Sequence, residues 1–224
     1  MIPKIFHQTY KSKDNLPSIY KECQTETLKH FAESSGWTYR FWTDEMMDAE
    51  IRENFSEYYG AFSSLPRMIM KVDMFRYCLM WKYGGLYADL DYMFIKPFDM
   101  LDSKLVLPIS RRQSKEKYPI RFGNCVFASE PGHPFWKLLL DDLLENKDRL
   151  RILADDEVDM GENGTGPGFV TRMFHTVSDY IRSTISTPGR FIFHPPSGYR
   201  ADQLNKCGAY GIHRCVGLWR TNNN

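Results

Sequence analysis

The sequence predicts an α/β protein with a mixed sheet flanked by helices, and three observations carry that expectation. Short apolar runs bounded by turn residues alternate with longer stretches at helical spacing, the pattern of strands and crossover helices. The pair Gly84-Gly85 separates the most apolar of those helical stretches from a short apolar strand. A length of 224 residues with 42% hydrophobic side chains suits one domain, residues 1–224, around one sizeable core.

The elements follow in chain order. Ile2 to Gln8 reads as the first strand, and a polar loop of Lys11 to Asn15 follows it. Ligands in open α/β sheets bind beyond the carboxyl ends of strands, so His7, Gln8, Thr9 and Tyr10 stand at a nucleotide-facing edge. For His7 a second reading stays open, a core histidine satisfied by protein groups. Pro17 to Glu33 reads as an amphipathic helix, Gly36 as a turn and Trp37 to Trp42 as the second strand. Thr43 or Asp44 fits an N-cap, with the acids after it in a first helical turn. Phe55, Tyr58, Tyr59 and Phe62 read as packing residues.

Met68, Ile69, Val72, Phe75, Leu79, Met80 and Tyr83 recur at helical spacing and predict a helix over Pro66 to Lys82. Asp73 and Arg76 lie one turn apart within this apolar helix, where charges are costly unless paired or used. Leu86 to Leu90 follows as a buried strand that delivers Asp89 and Asp91 to its end. On an extended backbone those two carboxylates face the same way and suit one hard divalent cation with a polyphosphate on its open side.

The runs Val72-Asp73-Met74-Phe75-Arg76-Tyr77 and Gly84-Gly85-Leu86-Tyr87-Ala88-Asp89-Leu90-Asp91 resemble a known sugar-transferase segment. It is shared by the DXD-containing Och1-like mannosyltransferases and capsular polysaccharide transferases (glycosyltransferase family 32) and, more distantly, by the glucosylating bacterial toxins. The resemblance implies a GT-A fold, Rossmann-like, and a nucleotide-sugar donor, UDP- or GDP-linked. It also implies Mn²⁺ or Mg²⁺ bridging Asp89 and Asp91 to the diphosphate. It assigns Asp73 and Arg76 to the donor sugar, brings Asp89 near the ribose, and makes Asp73, Arg76 and Asp89 the catalytic candidates. Tyr87 of the same run joins the donor-contact candidates. The opening run is similar as well, with Tyr10 where the family carries Trp.

Further along, Tyr92 to Phe98 and Leu105 to Pro108 read as extended, and Arg111 to Tyr118 as a basic polar loop. Phe122 to Ala128 reads as a strand, and Pro131 to Pro134 turns into a helix through Leu144. Here the resemblance assigns Asn124 to donor or acceptor hydroxyls. Gly161 to Gly168 is glycine-rich without the Lys-Ser/Thr of a phosphate-binding loop, and it feeds a helix over Phe169 to Ile181. Thr165 and Gly166 match the family's T-G-P element beside the donor sugar. Phe191 to Pro196 reads as a last short strand before the C-terminal tail. In that tail the resemblance makes His213 a third metal ligand and Trp219 a cover over the leaving group, with Leu218 where Ser is expected. The acids of 141–142 and 155–159 read as solvated.

A net charge of +1 gives no basic field for nucleic acid. No apolar run is long enough to span a bilayer and no leader-like segment opens the sequence, so a cytoplasmic protein is expected, with peripheral membrane contact left open. The five cysteines are scattered without C-x-x-C spacing and read as reduced thiols. The expected reaction moves a hexose from a nucleotide-sugar to a glycan or other hydroxyl acceptor, and the resemblance implies retention of configuration. A metal-dependent nucleotide-sugar hydrolase or phosphoesterase is the alternative, since it too uses paired acids.

Overall fold

The computed structural model describes residues 1–112, 117–152, 164–196 and 198–217. Strand β1 (Ile5–Thr9) leads through helix α1 (Ser18–Leu28) and a 3₁₀ turn (Glu33–Ser35) to β2 (Thr38–Trp42). Both elements are shorter than the sequence suggests: Pro3 delays β1, and α1 ends five residues before the expected Glu33. Thr43 caps α2 (Asp44–Asn54), its hydroxyl accepting from the Met46 amide at 3.2 Å. Helix α3 (Ser56–Ser64) buries Tyr58 and Phe62, as expected of packing residues.

Helix α4 (Met68–Lys82) buries nine of its residues, including Asp73 and Arg76. It is apolar nearly all round because α2, α3, α5 and the sheet pack against it. Gly84 and Gly85 then carry φ of 61° and 91°, values an L side chain resists. A Cβ on Gly84 would meet the Ser129 carbonyl at 2.5 Å, so the turn fits only because the side chain is absent. Strand β3 (Gly85–Ala88) follows and is fully buried.

The main sheet runs β2-β1-β3-β8-β5-β9. Strands β2 and β3 flank β1 and are both parallel to it, whereas β8 (Val126–Ser129) runs antiparallel to β3 and to β5 (Leu105–Val106). Strand β9 (Ile185–Ser186) closes the edge parallel to β5. The chain leaves β1 toward β2 on one side and returns to β3 on the other. In open α/β sheets such a strand-order reversal marks the ligand crevice, here at the carboxyl ends of β1 and β3. Tyr87 of β3 points into the core shared with α4, while Leu86 and Ala88 point into the opposite core, the period-two alternation of a strand.

Two small ribbons complete the sheet architecture. Strand β4 (Tyr92–Phe94) pairs antiparallel with β10 (Gly211–His213), and β6 (Ile109–Arg112) pairs with β7 (Ile120–Phe122). Helices α5 (Pro134–Glu145), α6 (Lys147–Ile152), α7 (Pro167–Thr176), α8 (Asp179–Ser183), α9 (Arg190–Phe193) and α10 (Ala201–Cys207) fill the second half.

Several expectations are corrected here. The strand expected over Phe191 to Pro196 is the short helix α9; Gly189 starts it, and paired prolines after His194 end it. The strand expected over Phe122 to Ala128 divides into β7 and β8 around Gly123-Asn124-Cys125. The helix expected to reach Ile181 stops at Thr176, where Ser178 caps a second one with its hydroxyl. Arg111 and Arg112 belong to β6 rather than to a loop.

Candidate functional site

The acid pair does not sit on one face of a strand, as extended spacing implies. Strand β3 ends at Ala88, and Asp89-Leu90-Asp91 forms a turn closed by the Tyr92 amide on the Asp89 carbonyl at 3.0 Å. The turn still directs both carboxylates to one place. Asp89, Asp91 and His213 each offer a ligand atom within 4.8 Å of the others. The pairing of β10 with β4 brings His213 there, placing it opposite Tyr92.

His213 Nε2 lies 3.2 Å from Asp91 Oδ1, and the Val216 amide donates to Asp91 Oδ2 at 2.9 Å. Burial opposes ionisation of Asp91, but these contacts outweigh it and hold the carboxyl below its usual range. For His213 burial again opposes charge, and Cys125 and Asp91 outweigh it, raising the imidazole. Asp89 is the most open of the group, with 29% of its side chain exposed. Its Oδ1 accepts from the Tyr87 hydroxyl at 2.8 Å and faces Arg76 Nη1 at 3.3 Å. Burial pushes the Asp89 carboxyl up, while Arg76 pulls it back.

Arg76 is 2% exposed and its guanidinium is divided among protein groups. Nη1 serves Asp89 and the Asn124 carbonyl, Nη2 lies 3.4 Å from Asp73 Oδ1, and the plane stacks over the Tyr87 ring at 4.8 Å. Burial disfavours its charge, but Asp89, Tyr87 and Asp73 more than restore it. Asp73, 4% exposed, accepts from Asn124 Nδ2 and from the Thr165 hydroxyl, each at 2.8 Å. Burial raises its pKa to about 6, against the pull of Arg76 and Thr165. A buried network therefore gathers Asp73, Arg76, Tyr87, Asp89, Asn124 and Thr165 from four separate stretches of sequence. Gly166 lies buried beside it as the N-cap of α7.

At the end of β1 the residues divide. Thr9 Oγ1 lies 3.2 Å from the Tyr87 hydroxyl and extends the network. Gln8 Oε1 accepts from Tyr39, leaving its buried Nε2 without a partner among the described residues. Tyr10 is half-buried against Tyr20, edge-to-face at 5.4 Å. His7 is fully buried: Nε2 lies 3.1 Å from the Gly84 carbonyl, and Nδ1 accepts from Trp42 Nε1 at 3.1 Å. Burial lowers its pKa to about 3. The core-histidine reading fits this geometry, and both ring nitrogens are engaged by protein. Trp219 and Leu218 lie outside the described residues, as do the acids of 155–159.

Sequence reasoning missed Cys125 and His194, which the fold brings beside His213. The three are far apart in the chain, so no local spacing signals them.

A family profile described as "Glycosyltransferase sugar-binding region containing DXD motif" matches residues 19–107. Among curated proteins, the chain is 35% identical over 136 residues to "Inositol phosphoceramide mannosyltransferase 1" of Schizosaccharomyces pombe, covering 60% of this chain and 40% of the relative. It is 28% identical over 156 residues to "Initiation-specific alpha-1,6-mannosyltransferase" of Candida albicans, covering 58% of this chain and 40% of the relative. The chain thus spans about two-fifths of the length of these relatives. Among solved structures, "PaToxG Glycosyltransferase" superposes with a TM-score of 0.56 at 15% identity, over 78% of this chain and 69% of that one.

Fold and crevice together define a GT-A type of α/β protein, with its acid turn at the strand-order reversal. Residues 19–107 are similar to the sugar-binding region of the DXD-containing glycosyltransferases, and the relatives matched alongside are named as mannosyltransferases. Among the described residues no helix is long and apolar enough to cross a membrane.

Proposed function

We propose that this chain transfers mannose from a nucleotide-sugar, GDP- or UDP-linked, to a hydroxyl of a glycan or glycolipid. The observation that carries the reading is the convergence of Asp89, Asp91 and His213 in the crevice beside β1 and β3. Mannose is favoured because both relatives described above are named for mannosyl transfer, although their acceptors differ.

Two carboxylates and an imidazole are a donor set suited to Mn²⁺, and to Mg²⁺ through the oxygens. Asp89, Asp91 and His213 would hold the ion, which when bound supplies Lewis-acid stabilisation of charge on the departing diphosphate. Arg76 keeps a fixed positive charge 3.3 Å from Asp89, and its other nitrogens hold Asp73 in register. Its task here is positioning, because its donors are already taken by protein groups. Asp73 is held as an acceptor for sugar hydroxyls by Asn124 and Thr165, which fix the carboxylate plane. The backbone of Thr165 is itself anchored by the Tyr77 hydroxyl at 2.5 Å. The carboxylates of this network are committed to Arg76, Tyr87, His213 and their neighbours, which favours same-face transfer without a covalent glycosyl-enzyme, and hence retention.

The hydrolase alternative needs a second ion on further acids. The second ligand group near the crevice is a thiol with two imidazoles, a different donor set, so transfer is the better reading. The test is incubation with Mn²⁺ or Mg²⁺, a panel of GDP- and UDP-sugars, and inositol-phospholipid or mannoside acceptors. Acceptor-dependent release of nucleoside diphosphate is expected. Sugar release indifferent to any acceptor would point to hydrolysis, and no turnover with any donor would remove the proposal.

A further inference from the structure

We propose that Cys125, His194 and His213 form a second metal site, suited to a soft divalent ion such as Zn²⁺, which shares His213 with the acid turn.

The three residues meet through topology alone. Cys125 lies between β7 and β8, His194 directly follows α9, and His213 ends β10. One ligand atom from each lies within 4.8 Å of the other two. A tetrahedral zinc ion, with Zn–N of about 2.0–2.1 Å and Zn–S of about 2.3 Å, separates its ligands by roughly 3.3–3.6 Å. Shifts of about 1 Å would therefore close the set.

The surroundings point to a ligand. The Nε2 of His194 is buried without a hydrogen-bond partner among the described residues, an arrangement costly in the empty protein. Gly123 leaves the room the ring needs: a Cβ there would lie 3.1 Å from His194 Nε2. Cys125 is 5% exposed and not disulfide-bonded. Capture of an ion would release its thiol proton to solvent.

One sulfur and two nitrogens select a different metal from two carboxylates. Zn²⁺ favours the former, whereas Mn²⁺ and Mg²⁺ favour the latter. The groups overlap at His213, whose Nε2 now faces Asp91 at 3.2 Å. Zinc captured by Cys125 and His194 would draw that imidazole away from the acid turn.

The test uses the intact protein with Co²⁺ as a spectroscopic stand-in for Zn²⁺ and no nucleotide present, so its outcome is independent of the transferase reading. A thiolate-to-Co²⁺ charge-transfer band, bleached by Zn²⁺, is expected. Cys125→Ser should abolish the band, and His194→Gln should weaken Co²⁺ binding by more than about a hundredfold, beyond the loss typical of outer-shell changes. Asp89→Asn and Cys207→Ser should retain it. Should Cys125→Ser fail to fold by circular dichroism, the wild-type band and the His194→Gln titration still decide. Absence of the band in the wild type, its survival in folded Cys125→Ser, or its loss in Asp89→Asn would overturn the site.

Discussion

His213 Nε2 stands 3.2 Å from Asp91 Oδ1 and joins the C-terminal ribbon to the acid turn. Donor binding in the presence of Mn²⁺ should stabilise the folded protein by mass action. Asp91→Asn should remove the Mn²⁺-dependent part of that thermal shift, and His213→Ala should weaken Mn²⁺ by more than about tenfold. Differential scanning fluorimetry with and without Mn²⁺ measures both. An Asp91→Asn variant with wild-type turnover would remove the acid turn from the mechanism.

Asp73, with its pKa raised to about 6, sets a pH limit. The carboxylate is the acceptor form, so protonation at lower pH removes it. Transfer measured as kcat/KM should fall about tenfold per pH unit below roughly pH 6. Because the native value lies above that of an unfolded Asp, Asp73 costs stability at neutral pH, and that cost fades as pH falls from above 6 toward the unfolded value. A rate profile flat down to pH 5 would contradict the role given to Asp73.

Arg76→Lys should be severe although it keeps the charge. One ammonium cannot reach Asp73, Asp89 and the Asn124 carbonyl together. Breaking a buried pair costs about 3–5 kcal/mol, so Arg76→Met should lower stability by that order and Arg76→Lys by less. Urea denaturation would show this; a stable, active Arg76→Lys would show that the fork geometry is dispensable.

Gly84→Ala should destabilise by several kcal/mol, about 3 or more, because positive φ and a backbone contact at 2.5 Å act together. Gly132→Ala is the internal comparison: its φ is 72°, but nothing lies within 4 Å of the added Cβ, so only the backbone strain remains. Equal losses for the two would show that the close approach carries no cost.

Much of the first half was legible in the sequence because local signals agreed there. The α4 periodicity, the Gly84-Gly85 stop, the Thr43 cap and the buried β3 strand each have a short-range cause. The acid pair was expected along one face of a strand, and the structure holds it in a turn instead. Asp89 and Asp91 converge through a turn and the arrival of β10, not through strand spacing. The second half was harder. The run around Phe191 has strand-like composition, yet prolines and packing make it the helix α9. The Cys125–His194–His213 group had no signature because the pairing of β10 with β4 creates it.

That same pairing sets a schedule for synthesis. The Val216 amide that binds Asp91 comes 125 residues later in the chain. At roughly 5–20 residues per second, a ribosome needs about 6–25 s to supply it after the acids emerge. Until then Asp89 can already meet Arg76 and Tyr87, whereas Asp91 waits for His213 and Val216, so the three-residue group is complete only once β10 docks.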